Sequence, residues 1–257
     1  MKKIFYYFLF IFVFIFLPKC SFADIALGYS GTVDKQNGTI SGSPPTNVIT
    51  GIVTVGAGSN RMLVLGVGVE FPRTSSTITF GTCSYNGTLM TLVTSSRIAS
   101  ASGTNSVDAV ASYYLNNPDV GTYYFSSTVS TSSGIGTVNK HSIIAISLNG
   151  VEPATAEASN SGIGTSTDVR TSLTTLTNKA WVIDVALEES SGATLTVGTA
   201  QTQVLQVAGW AVTGMSYKAV STAGSTSMNW TINSSQAYAI VAGSFAPAQQ
   251  VICLEEP

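Results

Sequence analysis

Charge is scarce in this chain: 11 Lys and Arg and 13 Asp and Glu together make up 9% of its 257 residues. No basic stripe or arginine cluster relieves that scarcity. The chain therefore has little with which to neutralise phosphates, and nucleic acid is excluded as an expected partner. Histidine occurs once, as His141, and the three cysteines, Cys20, Cys83 and Cys253, lie far apart. Without a CxxC, HxxxH or DxDxDG spacing, no zinc site, calcium loop or cofactor is expected. A sustained 3.6-residue apolar period is missing too, which argues against helices as the main building element.

Long apolar runs are also missing after the first. Residues 4–17, "IFYYFLFIFVFIFL", form a run of 14 between Lys2-Lys3 and the exit "PKCSFAD". Positive start, apolar middle and small-residue exit are the parts of a secretory signal, with Ser21 and Ala23 at −3 and −1 for cleavage before Asp24. The run is shorter than the roughly 20 residues that span a bilayer, and no span is expected in the mature chain. Lipidation of Cys20 competes, because Leu17 stands three residues ahead of it, but Pro18 and Lys19 suit that box badly. An uncleaved anchor is the third reading. Export places the domain outside the cytoplasm, secreted or at the cell surface. Loss of Lys2, Lys3 and Lys19 leaves 8 basic against 13 acidic residues, a net charge of −5.

The expected organisation is a signal peptide at 1–23, an irregular lead-in at 24–47, a β-domain at 48–247 and a tail at 248–257. Two cysteines then remain, and an oxidising route permits a Cys83–Cys253 bridge that would pin the tail to an early hairpin. The alternative is one buried thiol and one tail thiol.

What is abundant is alternation. In "RMLVLGVGVEF", Leu63, Leu65, Val67, Val69 and Phe71 share one face; Met62, Val64, Gly66, Gly68 and Glu70 share the other, as in a central strand. "WVIDVALEE" places Trp181, Ile183, Val185 and Leu187 inward and Val182, Asp184, Ala186 and Glu188 outward. Met228, Trp230 and Ile232 group in "MNWTI", and "YAIVAG" is apolar on both sides. Asn86-Gly87 suits a two-residue type I′ hairpin. "NNPDVG" at 116–121 would turn the chain between two Tyr-Tyr strands. Each one-sided sheet must bury its apolar face, so the expected fold is all-β: about 9 to 12 strands in a two-sheet antiparallel β-sandwich, jelly-roll-like or another Greek key.

Six successive strings carry a resemblance: "SNRMLVLGVGVE", "TFGTCSYNGTLMT", "VASYYLNNPDVGTYYFSSTVS", "IIAISLNGVEP", "KAWVIDVAL" and "STSMNWTINSSQAYAIVAGSFAP". In that order the chain resembles a widespread group of secreted or surface-associated bacterial and phage β-sandwich domains of unassigned function, over roughly residues 45 to 247. The resemblance implies a jelly-roll-like fold and no catalytic signature. Cys83 and the tail beyond Pro247 depart from the pattern.

Glycoside hydrolysis needs two carboxylates about 5 Å or 6.5–9.5 Å apart. The candidate acids are Glu70, Asp108, Asp184, Glu188 and Glu189; Asp184 and Glu188 share a strand face, but four extended residues separate them by about 13 Å. No GxSxG elbow is present, and His141, opening an apolar strand, reads as a cap or a surface residue. Trp210, between Val207 and Val212, reads as core, with ligand binding as its other role. Sugar rings stack on flat aromatic faces, and parity exposes one tyrosine of each pair. With Tyr114 and Tyr124 outward, Asn116 and Asn117 become their polar neighbours, while Tyr113, Leu115, Tyr123 and Phe125 enter the core. Cross-strand aromatic packing without a ligand is the plainer reading of the same rings. The expected function is a non-catalytic extracellular binding module, carbohydrate-binding or adhesive, with a glycan or a surface protein as partner. The alternatives are a structural subunit of a surface assembly and, less favoured, a secreted glycoside hydrolase.

Overall fold

The computed structural model describes residues 20–39, 46–72, 77–99, 106–132, 137–189 and 192–251, and these hold strands without a helix. In chain order the strands are β1 (Cys20–Phe22), β2 (Ala26–Thr39), β3 (Thr46–Val55), β4 (Met62–Phe71), β5 (Ile78–Tyr85), β6 (Thr88–Leu89), β7 (Thr91–Ala99) and β8 (Val107–Asn116). There follow β9 (Gly121–Thr131), β10 (Thr137–Asn149), β11 (Ala158–Thr175), β12 (Trp181–Glu188), β13 (Leu195–Val197), β14 (Thr202–Val207), β15 (Val212–Ala219), β16 (Gly224–Phe245) and β17 (Gln249–Val251).

Three sheets stack instead of the expected two. A five-stranded sheet, β2-β10-β4-β8-β7, lies between a four-stranded sheet, β3-β9-β5-β6, and a larger one, β11-β16-β12-β15-β14, with β13 added on β16. None curls into a jelly roll. The cause lies in the middle strands, which are apolar on both parities and so demand a cover on each side. All ten residues of β4 are buried. Its odd positions join Ala111 and Tyr113 of β8 and Ile143 of β10 against Ile49, Val53, Phe125 and Val129 of the four-stranded sheet. Its Met62 and Val64, with Val110, Tyr114 and Ile146, meet Ile183, Val185, Leu187, Met215 and Val241 of the larger sheet. Gly66 and Gly68 let that second interface close. An added Cβ on Gly66 would lie 2.5 Å from Val185 Cγ2, and one on Gly68 would overlap the Thr213 side chain.

The outer face of β12 is covered as well, which corrects the expectation that Asp184 and Glu188 face solvent: both are fully buried. The long β11–β16 ribbon breaks register at Ser166–Asp168. Its C-terminal half pairs with β12 through Tyr238–Phe245, while Trp230–Ile232 pair with β13. The other half folds over the sheet, so Trp230 and Ile232 pack with Ala186 and Ile240, and Met228 packs with Val182. Met228, Trp230 and Ile232 are all buried, but Trp230 and Ile232 share one cluster and Met228 another, both separate from that of Ile183 and Val185. Asn160 Nδ2 donates to Ser172 O at 2.6 Å, tying the two halves of β11 together.

At the N-terminus, the stretch read as irregular contains β2, which pairs with β10 and completes the middle sheet at its edge. Backbone pairing supplied by β10 overrides a glycine- and polar-rich sequence of weak strand preference. Residues 1–19 and Cys253 lie outside the described residues. Within them, Cys20–Phe22 pair with Gln249–Val251, and Ala23 N donates to Ala248 O at 2.8 Å. No helix among the described residues is long and apolar enough to cross a membrane.

Candidate functional site

The outer face of the four-stranded sheet carries the strongest candidate site. In β9, Phe125, Ser127 and Val129 point inward, leaving Thr122, Tyr124 and Ser126 on the other side. β3 alternates in the same way, with Ile49 and Val53 buried and Val48, Thr50 and Ile52 outward. Register places Ile52 opposite Tyr124, Thr50 opposite Ser126, and Thr54 opposite Thr122; Ser84 of β5 flanks Ser126 from the other side. The result is a shallow open concavity of about 570 Å³ in which Tyr123, Tyr124, Thr50, Ser84, Asn86 and Ser126 take part.

Tyr124 is 73% exposed and Ile52 58%, so a flat ring and an aliphatic side chain lie open side by side. Hydroxyls surround them in pairs. Ser84 Oγ and Ser126 Oγ are 2.8 Å apart, and Thr54 Oγ1 and Thr122 Oγ1 are 2.7 Å apart. Each pair uses one O–H internally and keeps a second O–H and acceptor lone pairs for a ligand.

One wall is the hairpin joining β5 to β6. Asn86 and Gly87 have φ of 47° and 77°, as a type I′ turn requires, and Asn86 N donates to Tyr124 O at 2.9 Å. Asn86 Nδ2 donates to Asp119 Oδ2 at 2.8 Å, which turns its amide oxygen free. Beneath, Tyr85 OH donates to the carbonyls of Asp119 and Gly121, and its ring meets Tyr123 edge-on at 5.9 Å. Tyr123, at 36% exposure, therefore forms a rim rather than entering the core.

The expected pairing of Tyr114 with Tyr124 is not formed. Tyr114 is 5% exposed and packs edge-on against Phe245 at 6.0 Å, facing the larger sheet. The link at 117–120 is a crossover between layers, because β8 pairs with β4 and β7 while β9 pairs with β3 and β5. Tyr113, Leu115 and Phe125 do meet in one core, as parity requires. Asn116 Nδ2 donates to Ala154 O at 3.1 Å, and Asn117 is exposed in the left-handed region with φ 48°. Neither lines the Tyr124 concavity.

The candidate acids are buried away from it. Glu70 and Asp108 lie opposite each other in β4 and β8, between the middle and larger sheets. Burial pushes the Asp108 carboxyl well up, and Glu70, Glu189 and Glu188 add to the rise. Glu70 is raised by burial and by Glu189, and eased by a hydrogen bond from Asn139 and by Lys140. Lys140, also buried, donates from Nζ to the carbonyls of Val207 and Ala211. Among the described residues, no group of three or more His, Cys, Asp and Glu is arranged to hold a metal ion.

His141 is fully buried, against the expectation of a cap or surface role. Its Nδ1 is 2.7 Å from Asn47 Oδ1 and its Nε2 is 3.2 Å from Ser127 Oγ, joining the middle and four-stranded sheets. Ser127 and Tyr113 also hydrogen-bond the Cys83 thiol, which burial pushes up to about 12. Cys83 is a buried free thiol, so a bridge to Cys253 has no support in the structure. Ser127, His141 and Asn47 resemble a nucleophilic constellation in their contacts, but each is at most 1% exposed.

Trp210 is 50% exposed, which corrects its reading as core: it sits on the loop whose flanking carbonyls hold Lys140. Sequence reasoning also missed a second concavity of about 360 Å³ beside Lys179 and Trp181, where Trp181 stacks on Tyr217 at 4.2 Å. Ile52 was missed as well, although the alternation of "VITGIVTV" was available to place it outward beside Tyr124. No protein-family model, curated protein or solved structure matches this chain.

Proposed function

We propose that the chain is a non-catalytic carbohydrate-binding module, exported from the cytoplasm, whose ligand face is the outer surface of the four-stranded sheet around Tyr124. The observation that carries this reading is a ring 73% exposed in a concavity whose polar lining is hydroxyls and one amide. Flat rings stack on the apolar faces of sugars, and paired hydroxyls with an amide oxygen complement sugar hydroxyls on both donor and acceptor sides. Export is supported by the order of Lys2-Lys3, apolar run and small-residue exit. The absence of catalysis is supported by the placement of Glu70, Asp108, Asp184 and Glu188, all buried and none lining the concavity.

A glycan array probed with the parent protein and with Tyr124→Ala tests the reading. Expected is retention of at least one glycan by the parent and its loss in the variant, with melting temperature unchanged. Retention equal in both proteins, or no glycan retained by the parent, overturns it.

A further inference from the structure

Among the described residues, none that lines the Tyr124 concavity carries a formal charge. Its polar lining residues are Thr50, Ser84, Asn86, Thr122, Ser126 and the two tyrosines. The nearby carboxylate is that of Asp119, drawn to the rim by Asn86 Nδ2 at 2.8 Å. An acidic sugar would find no cation to pair with and would approach a like charge. An uncharged sugar loses no ionic hydration and meets partners for its hydroxyls.

The shape decides which part of a glycan fits. Outward positions continue along the strands from the Val48–Thr128 pair to the Thr54–Thr122 pair, six residue steps or about 20 Å. Along that row Val48 is 47% and Ile52 58% exposed, so an apolar strip runs beside the hydroxyl pairs, and the Asn86-Gly87 hairpin stands at one side of it. Recognition of a chain end needs a closed pocket that stops the next sugar. A sheet face of this length, open to solvent, instead accommodates several consecutive rings.

We infer that the Tyr124 face takes an internal segment of an uncharged polysaccharide, and discriminates against both acidic polysaccharides and short chain ends. This rests on the carbohydrate-binding reading of the same face. Tyr124 supplies the stacking surface, Ile52 extends it across β3, and the Ser84–Ser126 and Thr54–Thr122 pairs fix the lateral position of the chain.

The test is a titration of the full chain with arabinoxylan, mixed-linkage β-glucan and dextran as uncharged probes, and polygalacturonate and heparin as acidic ones, at low and high salt. Oligosaccharides of increasing length, cut from whichever uncharged polymer binds, complete the series. Expected are binding to an uncharged polymer that salt leaves unchanged, affinity rising at least about tenfold from disaccharide to longer oligomers, and a loss of about tenfold or more in Tyr124→Ala. Ile52→Ser should weaken long oligomers more than the disaccharide. Tighter binding of polygalacturonate or heparin, falling with salt, would overturn the assignment to uncharged chains. A disaccharide that binds as tightly as the polymer would overturn the internal-segment assignment. If none of the five polymers binds the parent more tightly than Tyr124→Ala, the carbohydrate reading itself falls, and the inference with it.

Discussion

Asp184 offers a quantitative test of the folded-over ribbon. Its carboxylate accepts from Ser216 N at 3.0 Å, Ser216 Oγ at 2.7 Å and Trp230 Nε1 at 2.9 Å, with no exposure to solvent. Burial outweighs the three donors and lifts the group from the ordinary 3.8 to about 7. Over that interval the folded protein keeps a proton that the unfolded chain has released. The contribution to stability is therefore complete below pH 3.8 and is lost as pH rises through about 7. At roughly 1.4 kcal/mol per pH unit, the loss amounts to about 4 kcal/mol. Glu70 and Asp108, also raised by burial, slope in the same direction, so Asp184→Asn should flatten the profile without abolishing it. Trp230→Phe removes a donor to the charged form. It should cost about 1–1.5 kcal/mol more at alkaline than at acidic pH, beyond its packing loss, the difference between a hydrogen bond to a charged and to a neutral acceptor. Urea unfolding followed by circular dichroism across this pH range measures both. An Asp184→Asn profile as steep as the parent's would show that Asp184 is solvated and that Trp230 does not cover it.

Substitutions elsewhere separate core from surface. Tyr114→Ala should destabilise by about 3–5 kcal/mol, whereas Tyr124→Ala should stay within about 0.5 kcal/mol of the parent, both by urea unfolding. Gly66→Ala places a Cβ 2.5 Å from Val185 Cγ2 and 2.7 Å from Met215 Cε. It should cost about 1–3 kcal/mol in the same assay. Cys83, buried with its thiol pushed up to about 12, should resist maleimide in the native protein and react after denaturation. Labelling of Cys83 in the folded protein, located by peptide mapping, or a Cys83 peptide found in a disulfide, would contradict its placement.

Strand content was legible wherever one parity is apolar and the other polar, as in β3 and β9, and the Asn86-Gly87 turn was legible from its dipeptide. The number of layers was harder to read. "RMLVLGVGVEF" showed two apolar faces, and "VDAVASYYL" shows the same in Val110 and Tyr114, which face one side while Ala109 and Tyr113 face the other. Taken together, the two strands called for a sheet covered twice. Read singly, β8 left Tyr114 free to point at solvent. Local sequence carries no record of whether "NNPDVG" returns the chain beside its own strand or carries it to another layer; pairing with β3 and β5 decides that. Asp184 was hidden for a related reason, since its cover, Trp230, lies 46 residues away on a ribbon that folds back. Of the four expected site residues, Tyr124 alone lines the candidate concavity, because its strand lies in an outer sheet.

Stacking of a sugar on Tyr124 is read out by saturation transfer between a bound uncharged oligosaccharide and ring-labelled tyrosines of the full chain. Transfer should reach the Tyr124 ring, more weakly Tyr123 at the rim, and not Tyr114. Transfer that bypasses Tyr124 in favour of Tyr217, beside the Trp181 stack, would contradict it.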